Sequence, residues 1–564
     1  MRVEQTGETI AFAFGDGFVE AHIQVNYDGG DATKFAWIVP VPALPSIEIG
    51  SSTFLSALLD ATLPTFTVLG TGECSWGGFV AMSDVGMDGH GDPPSVLDRA
   101  NLGMFEYTVL EGGSAESIGA WLDANGYAQD DAAPTILETY VDEGYLFVAF
   151  KLLHFEGIEA VHPIVLRYPG NEPCIPLRLT RIAAAEEMPI RVAVLSDQRV
   201  MPSNWRSVEL TDVRLDWSTF GGNYDAAVSL AIDEPGADGR AFVTEFAGAS
   251  AMVSRERLQT DQIDPTMFVD AGAVDVIELL MAQQLADCGW SGSFPDWGVA
   301  SCTWAHDLVP TLLHRYLPVP SDVPDDDFYT CVSCFADLID DEAWDGPSFA
   351  ADLQTQVIAP LDRSRALLGR WPYLTQLYTR VSPHEMTTDP TFAPVEGVPD
   401  VARRHLAARD LSCCDEDHTT SSIEHYTLAS DRVVEVEDFA SWPSWPSDVP
   451  WAERISERTP DGHVVTLVDA GAAIDAAVAR RWDKRCETRT DSATTSDGLT
   501  TGSAGFGDVD DSSTTGLSTS PAASDANAGC GCSSPSPAGA GWTGLLLLVG
   551  VRRRRHRNPS PIRR

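Results

Sequence analysis

From Glu487 to Gly529 the sequence falls almost entirely to serine, threonine, glycine, aspartate and alanine. Such a stretch cannot bury enough apolar surface to offset the entropy of ordering it, so it is predicted to be disordered. Any packed core is therefore expected in the first 486 residues of a chain whose 564 could hold two to four domains. As a flexible coil the stretch would reach roughly 35–40 Å. Cys530-Gly531-Cys532 and a short Ser/Pro/Gly spacer follow it, then an apolar run from Gly541 to Val551 and the cluster Arg552-Arg553-Arg554-Arg555-His556-Arg557. The run is shorter than the roughly 20 residues that span a bilayer as a helix. The arginines resist crossing the membrane. This end of the chain is expected to be held at a membrane while Cys530 and Cys532 are processed.

The order of cysteine, short apolar segment and arginine cluster resembles the myxobacterial C-terminal sorting tail (MYXO-CTERM). The resemblance implies export, cutting near Cys530 or Cys532 by a sorting protease, and anchoring at the outer surface of the cell envelope. Residues 487–529 would then be a stalk and 530–564 the anchor. The competing readings are an ordinary short transmembrane helix, or the basic terminus of a cytoplasmic protein. No basic-then-apolar signal peptide precedes the first strand-like residues, so export predicts a start upstream of Met1.

Charge narrows the partners. The chain carries 37 Lys and Arg against 83 Asp and Glu, a net −46. Without the seven arginines between Arg552 and Arg564 the balance is −53. That surface repels nucleic acid and anionic lipid. Nine cysteines lie before the tail: Cys74, Cys174, Cys288, Cys302, Cys331, Cys334, Cys413, Cys414 and Cys486. In an exported chain they are disulfide candidates, and the odd number leaves one thiol over or one partner missing.

The apolar pattern predicts an α+β fold. Residues 1–250 read as a strand-rich domain, 251–400 as a mainly helical segment packed on it, and 401–486 as a mixed extension. Residues 18–27 alternate, with Val19, Ala21, Ile23, Val25 and Tyr27 on one face and Glu20, His22, Gln24 and Asn26 on the other, which predicts a half-buried strand. Phe35 to Val41 reads as a central strand. Phe54, Leu55, Leu58 and Leu59 fall at helical spacing. Ser114 is a candidate N-cap for a helix to Asn125. Val208–Trp217 reads as a strand. Val274, Ile277, Met281 and Leu285 read as one helix. Phe349, Leu353 and Val357 begin another, which Pro360 breaks or restarts. A loop is expected around 320–335.

Several stretches also resemble the domain of unknown function family numbered 2330. They are Gly7–Phe12, Ala21–Tyr27, Phe35–Pro42, Val213–Trp217 with Asn223-Tyr224, Gly239–Glu245 and Phe328–Cys334. The resemblance spans about residues 4–400. It implies an exported bacterial protein without assigned chemistry.

No catalytic residue, metal ligand or cofactor is assigned. Cys331-x-x-Cys334 could be a disulfide, half of a zinc site or a redox pair. Asp325, Asp326 and Asp327 before it disfavour a reactive thiolate, and Cys413-Cys414 are poorly placed to complete a zinc site. His418 and His425 read as a polar loop, and Asp84, Asp88 and Asp92 miss the EF-hand order. His384-Glu385 opens like a metalloprotease helix, but Thr388 stands where the second histidine belongs. Trp442, Trp445 and Trp451 either pack on the body or stack on a ligand. The expected function is a surface-anchored structural or binding protein with an unknown ligand. A metal-dependent envelope hydrolase is the alternative.

Overall fold

The computed structural model describes residues 4–28, 36–70, 95–102, 105–111, 114–125, 133–152, 162–291, 298–340, 344–413, 422–437 and 441–492. Residues 1–494 form one compact unit, and 495–564, with the tail, lie outside the described residues. The fold is α+β and strand-rich in its N-terminal half.

Its centre is a ten-stranded sheet. In chain order the strands are β1 (Glu4–Gly15), β2 (Phe18–Asp28), β3 (Ser46–Ile49), β4 (Ile164–Pro169) and β5 (Met188–Ser196), then β6 (Arg206–Leu210), β7 (Ala241–Ala249), β8 (Tyr373–Val381), β9 (Ala452–Arg458) and β10 (Val464–Asp469). Across the sheet they run β10-β9-β6-β7-β8-β5-β1-β2-β4-β3. Only β1/β5 and β6/β7 pair in parallel. The sheet thus draws strands from residue 4 to residue 469.

One face of this sheet is apolar. Ile10 and Phe12 of β1, Ala21 and Ile23 of β2, and Val192 and Val194 of β5 are buried there. A four-stranded sheet of Ala36–Val41, Leu146–Leu152, Phe105–Glu111 and Ser95–Leu102 lies over it. The other face lies under three helices: α1 (Ser52–Thr62), α2 (Tyr224–Ile232) and α3 (Ala359–Arg370). Helix α1 starts where Ser51 Oγ accepts from Phe54 N at 3.2 Å, and it buries Phe54, Leu55, Leu58 and Ala61. A second four-stranded sheet, Val433–Glu437, Ser422–Thr427, Arg404–Cys413 and Thr65–Gly70, has its own core around Trp217, Tyr426 and Val434.

Several sequence expectations need correction. Strand β2 is buried on both faces, because helices cover the side that carries Glu20 and His22. Ala36–Val41 is an edge strand, not a central one, which suits Pro40 because proline cannot donate to a neighbour. The strand begun at Arg206 stops at Leu210; Val213 and Trp217 are buried from two 3-10 turns instead, and Leu215 from the extended link between them. The helix expected through Leu285 spans only Val276–Ala282, and a hairpin (Ala286–Ser291, Val299–Trp304) follows it. Of the two readings of Pro360 the restart holds, since it stands in the first turn of α3. A π-turn at Gln354–Ile358 passes the chain from Gly346–Leu353 into α3. The loop expected around 320–335 holds a helix, Asp325–Thr330, and a 3-10 segment, Val332–Leu338. Helix Gly471–Ser492 enters the stretch expected to be disordered.

Candidate functional site

Three of the stretches singled out in the sequence fold into one corner under α2. Asp216 caps a 3-10 turn by accepting from Ser218 N and Thr219 N at 3.0 and 3.2 Å. Asn223 clamps that turn to its own loop, accepting from Asp216 N at 2.7 Å and donating to Arg214 O at 2.9 Å. Between them Gly221 takes φ +79°, and a Cβ there would lie 2.4 Å from the Phe66 ring. Only glycine fits. This loop delivers Tyr224 and Asp225 to the start of α2.

Glu245 waits beneath them. A β-bulge between Thr244 and Phe246 leaves Glu245 without a ladder partner on β8. Its side chain is fully buried; Arg191 and the Tyr224 hydroxyl are its polar neighbours, and neither stands at full hydrogen-bond geometry. Arg191 Nε of β5 stands 3.5 Å from Oε2. The Arg191 guanidinium lies 3.8 Å over the Tyr378 ring, and Tyr378 stacks on Tyr224 at 6.2 Å. The Tyr378 hydroxyl donates to Asp225 Oδ1 at 2.8 Å, and Arg191 Nη2 is 3.8 Å from the same oxygen. Arg380 completes the corner, 3.7 Å from Asp225 and 3.9 Å from Glu187. Burial pushes the Glu245 carboxyl up to about 7, against the pull of Arg191 and Tyr224. Burial and Glu245 likewise hold the Tyr224 hydroxyl far above its ordinary value. Below about pH 7 the corner thus holds a proton on a carboxyl that solvent does not reach.

A second buried carboxyl lies on the opposite face. Glu8 borders a cavity of about 20 Å³ between the two sheets, room for a single water. Its walls include Ile10, Ile23, Trp37, Leu166, Tyr168 and Cys174. Gln5 Nε2 donates to Glu8 at 3.3 Å, and burial pushes the Glu8 carboxyl up to about 7. Burial first, and Asp389 second, also push the Cys174 thiol up, leaving it in its unreactive protonated form. Next to it, Asp389 accepts from Tyr140 Oη, Arg178 N and Arg178 Nε, each at 2.8 Å, and Arg178 holds Glu143 through both terminal nitrogens. These bonds lock Asp389 and Arg178 in place.

Of the cysteines, Cys288 pairs with Cys302 across the hairpin and Cys331 with Cys334, while Cys174 is a free thiol. The two bridges are neighbours: Cys302 N donates to Asp326, and its sulfur lies 3.7 Å from Thr330 Oγ1. Cys74, Cys414, Cys530 and Cys532 lie outside the described residues, as do the side chains of Cys413 and Cys486. Asp84, Asp88, Asp92 and His418 also lie outside them. His425 is 3.6 Å from Glu435. His384 and Glu385 sit in a turn, where Glu385 accepts from Ser382 N at 2.7 Å. Trp442 and Trp445 both donate their indole N–H to Val213 O at 2.8 Å, so they pack on the body. Among the described residues no three His, Cys, Asp or Glu side chains are arranged to hold a metal ion, and no helix is long and apolar enough to cross a membrane.

Sequence reasoning passed over Glu245, Arg191 and Glu8. Tyr224 and Glu245 do end two of the stretches quoted for the resemblance, but nothing in Phe-Val-Thr-Glu-Phe announces a bulge.

By architecture this is an α+β protein built on one large mixed sheet, with local disulfides and buried carboxyls on both sheet faces. Residues 4–262 match the family model described as an uncharacterized protein conserved in bacteria, domain of unknown function 2330, over just under half of the chain. Arg191, Tyr224 and Glu245 lie inside the match. No curated protein and no solved structure matches the chain.

Proposed function

We propose that this is an exported protein, anchored at the outer surface of a bacterial cell, with a structural or binding role. The observation that carries the reading is the pairing of four cysteines into two local disulfides, at sequence separations of 14 and 3. Such bridges persist in oxidising compartments and are rare in the cytosol. The acidic body supports it, since a net charge near −53 keeps the chain soluble and off anionic lipid except through the arginine-bearing tail. The order of cysteines, apolar run and arginines supports anchoring through the membrane and a sorting protease acting at Cys530 or Cys532.

The test is trypsin shaving of intact cells, with thiol alkylation before and after reduction. Trypsin suits the chain because lysine occurs only at Lys34, Lys151 and Lys484 while arginine is plentiful. Peptides from residues 1–486 should be released from unbroken cells, and Cys288, Cys302, Cys331 and Cys334 should alkylate only after reduction. A chain protected until lysis, with all four thiols free, is cytoplasmic and the proposal fails.

A further inference from the structure

We propose that Glu245 is a proton-operated latch on α2: while its carboxyl is protonated the helix stays seated on the sheet, and loss of the proton lets the helix open locally. The argument is one of charge placed where solvent does not reach. Acting on Glu245 are Arg191 from β5 and Tyr224 and Asp225 from α2, and around these stand Tyr378 and Arg380 from β8 and Glu187 from the turn before β5. Strand β6 turns Val208 and Leu210 to this face, and its Arg206, opposite Ala241 and four residues from Glu245 in register, is paired with Glu457 at 2.8 Å. With Glu245 neutral, two guanidiniums balance the carboxylates of Asp225 and Glu187. Ionisation adds a third negative charge at a side chain with no exposure and no hydrogen bond of full geometry.

That charge has one close cation, Arg191, which Asp225 shares. Drawing Arg191 fully to Glu245 takes it from Asp225 in the first turn of α2. The alternative is to admit water, and the cover that must lift is α2 itself. Either way the ionised form favours an opened helix. The helix is suited to this, because its other holds are a short apolar stripe of Ala227, Val228, Ala231 and Ile232 and the bond that Ser229 donates to Glu187. The burial that sets the carboxyl near 7 puts the change within the ordinary pH range. The inference rests on the corner alone and stands wherever the chain resides.

The test is hydrogen exchange of the full chain followed by mass spectrometry at pH 5.5 and pH 8, corrected for intrinsic exchange. Protection of residues 222–232 should fall at least tenfold from pH 5.5 to pH 8, while peptides over β8 stay protected. Glu245→Gln cannot titrate and should hold the same protection at both values. Asp225→Asn removes an exposed charge that raises the Glu245 carboxyl, so it should move the midpoint of the loss to lower pH, and it serves even if Glu245→Gln fails to fold. Equal loss in wild type and Glu245→Gln, or an unmoved midpoint in Asp225→Asn, overturns the latch.

Discussion

The two faces of the ten-stranded sheet solve different problems with the same strands. Under the four-stranded sheet, Ile10, Phe12, Ile23, Val192 and Val194 interlock as apolar matter, and Glu8 is a carboxyl admitted among them. Under the helices, Glu20, His22, Gln376 and Glu245 are equally shielded from water, with Arg191 half-buried beside them. There the polar groups must answer one another. Glu20 does so: it bonds His22 Nε2 at 3.1 Å and lies 3.6 Å from Arg363. Burial works against its charged form, but the bond and charge of His22, with Arg363 and Arg167, outweigh it and hold the carboxyl below its ordinary value. Glu245 has Arg191 at 3.5 Å and Tyr224 beside it but nothing as close as the His22 bond, so burial prevails and its carboxyl goes up instead. What separates the two residues is partners, since both are buried.

The largest effect that would sharpen the contrast comes from the apolar face. Phe12 is buried against Phe392, with ring centroids 6.1 Å apart. Phe12→Ala should cost about 3–5 kcal/mol by denaturant melts, through lost transfer energy and a cavity. A loss below about 1 kcal/mol would mean that the face is loosely packed and the contrast false.

The second effect tests both faces at once. A carboxyl held near 7 in the folded chain but near 4.5 when unfolded burdens folding at pH values where the unfolded chain gives up its proton first. The burden is absent below about 4.5, grows as pH rises, and is complete above about 7, reaching about 3 kcal/mol for each group. Stability should therefore fall between pH 5 and pH 7.5. Glu8→Gln and Glu245→Gln should each remove part of that fall, raising stability at pH 8 and changing little at pH 4.5. Glu20 works in reverse, since its lowered carboxyl contributes above the unfolded value and is lost as pH drops through the folded one. Thermal melts across pH for the variants decide it, and an unchanged slope in both Gln variants would contradict the burial of both carboxyls.

How much of this was legible follows from what alternation encodes. In β2 the pattern Val19, Ala21, Ile23 against Glu20, His22, Gln24 correctly gave a strand and its two faces. It could not say that the polar face has a roof, because α1 and α3 come from residues 52–62 and 359–370. Val213, Leu215 and Trp217 announced burial correctly but not the pair of 3-10 turns that carries it, since alternate burial does not require a ladder. Cys331 and Cys334 were legible as a bridge because the pairing is local. The Glu245 corner was not legible, because it needs a bulge in β7, a helix from residues 224–232 and strands from residues 188 and 373, and no local signal spans those distances.

The smallest effect probes the seam where the polar face is best answered. Thr62, at the end of α1, donates to Leu58 O at 2.7 Å and also lies 3.3 Å from Gln376 Oε1, which is completely buried on β8. Thr62→Val keeps the shape and removes the hydroxyl. Leu58 O retains its place in the helix, so the cost falls on Gln376, whose carbonyl oxygen loses its partner. One unmet buried acceptor costs about 1–3 kcal/mol, and relaxation beside a helix end should bring this case near 1 kcal/mol. The double variant Thr62→Val with Gln376→Leu removes both polar partners and should recover most of the loss. If the double variant is instead less stable than the sum of the singles, Gln376 has a second role under α1. The helix-covered face would then be an interdependent network, not a set of locally matched pairs.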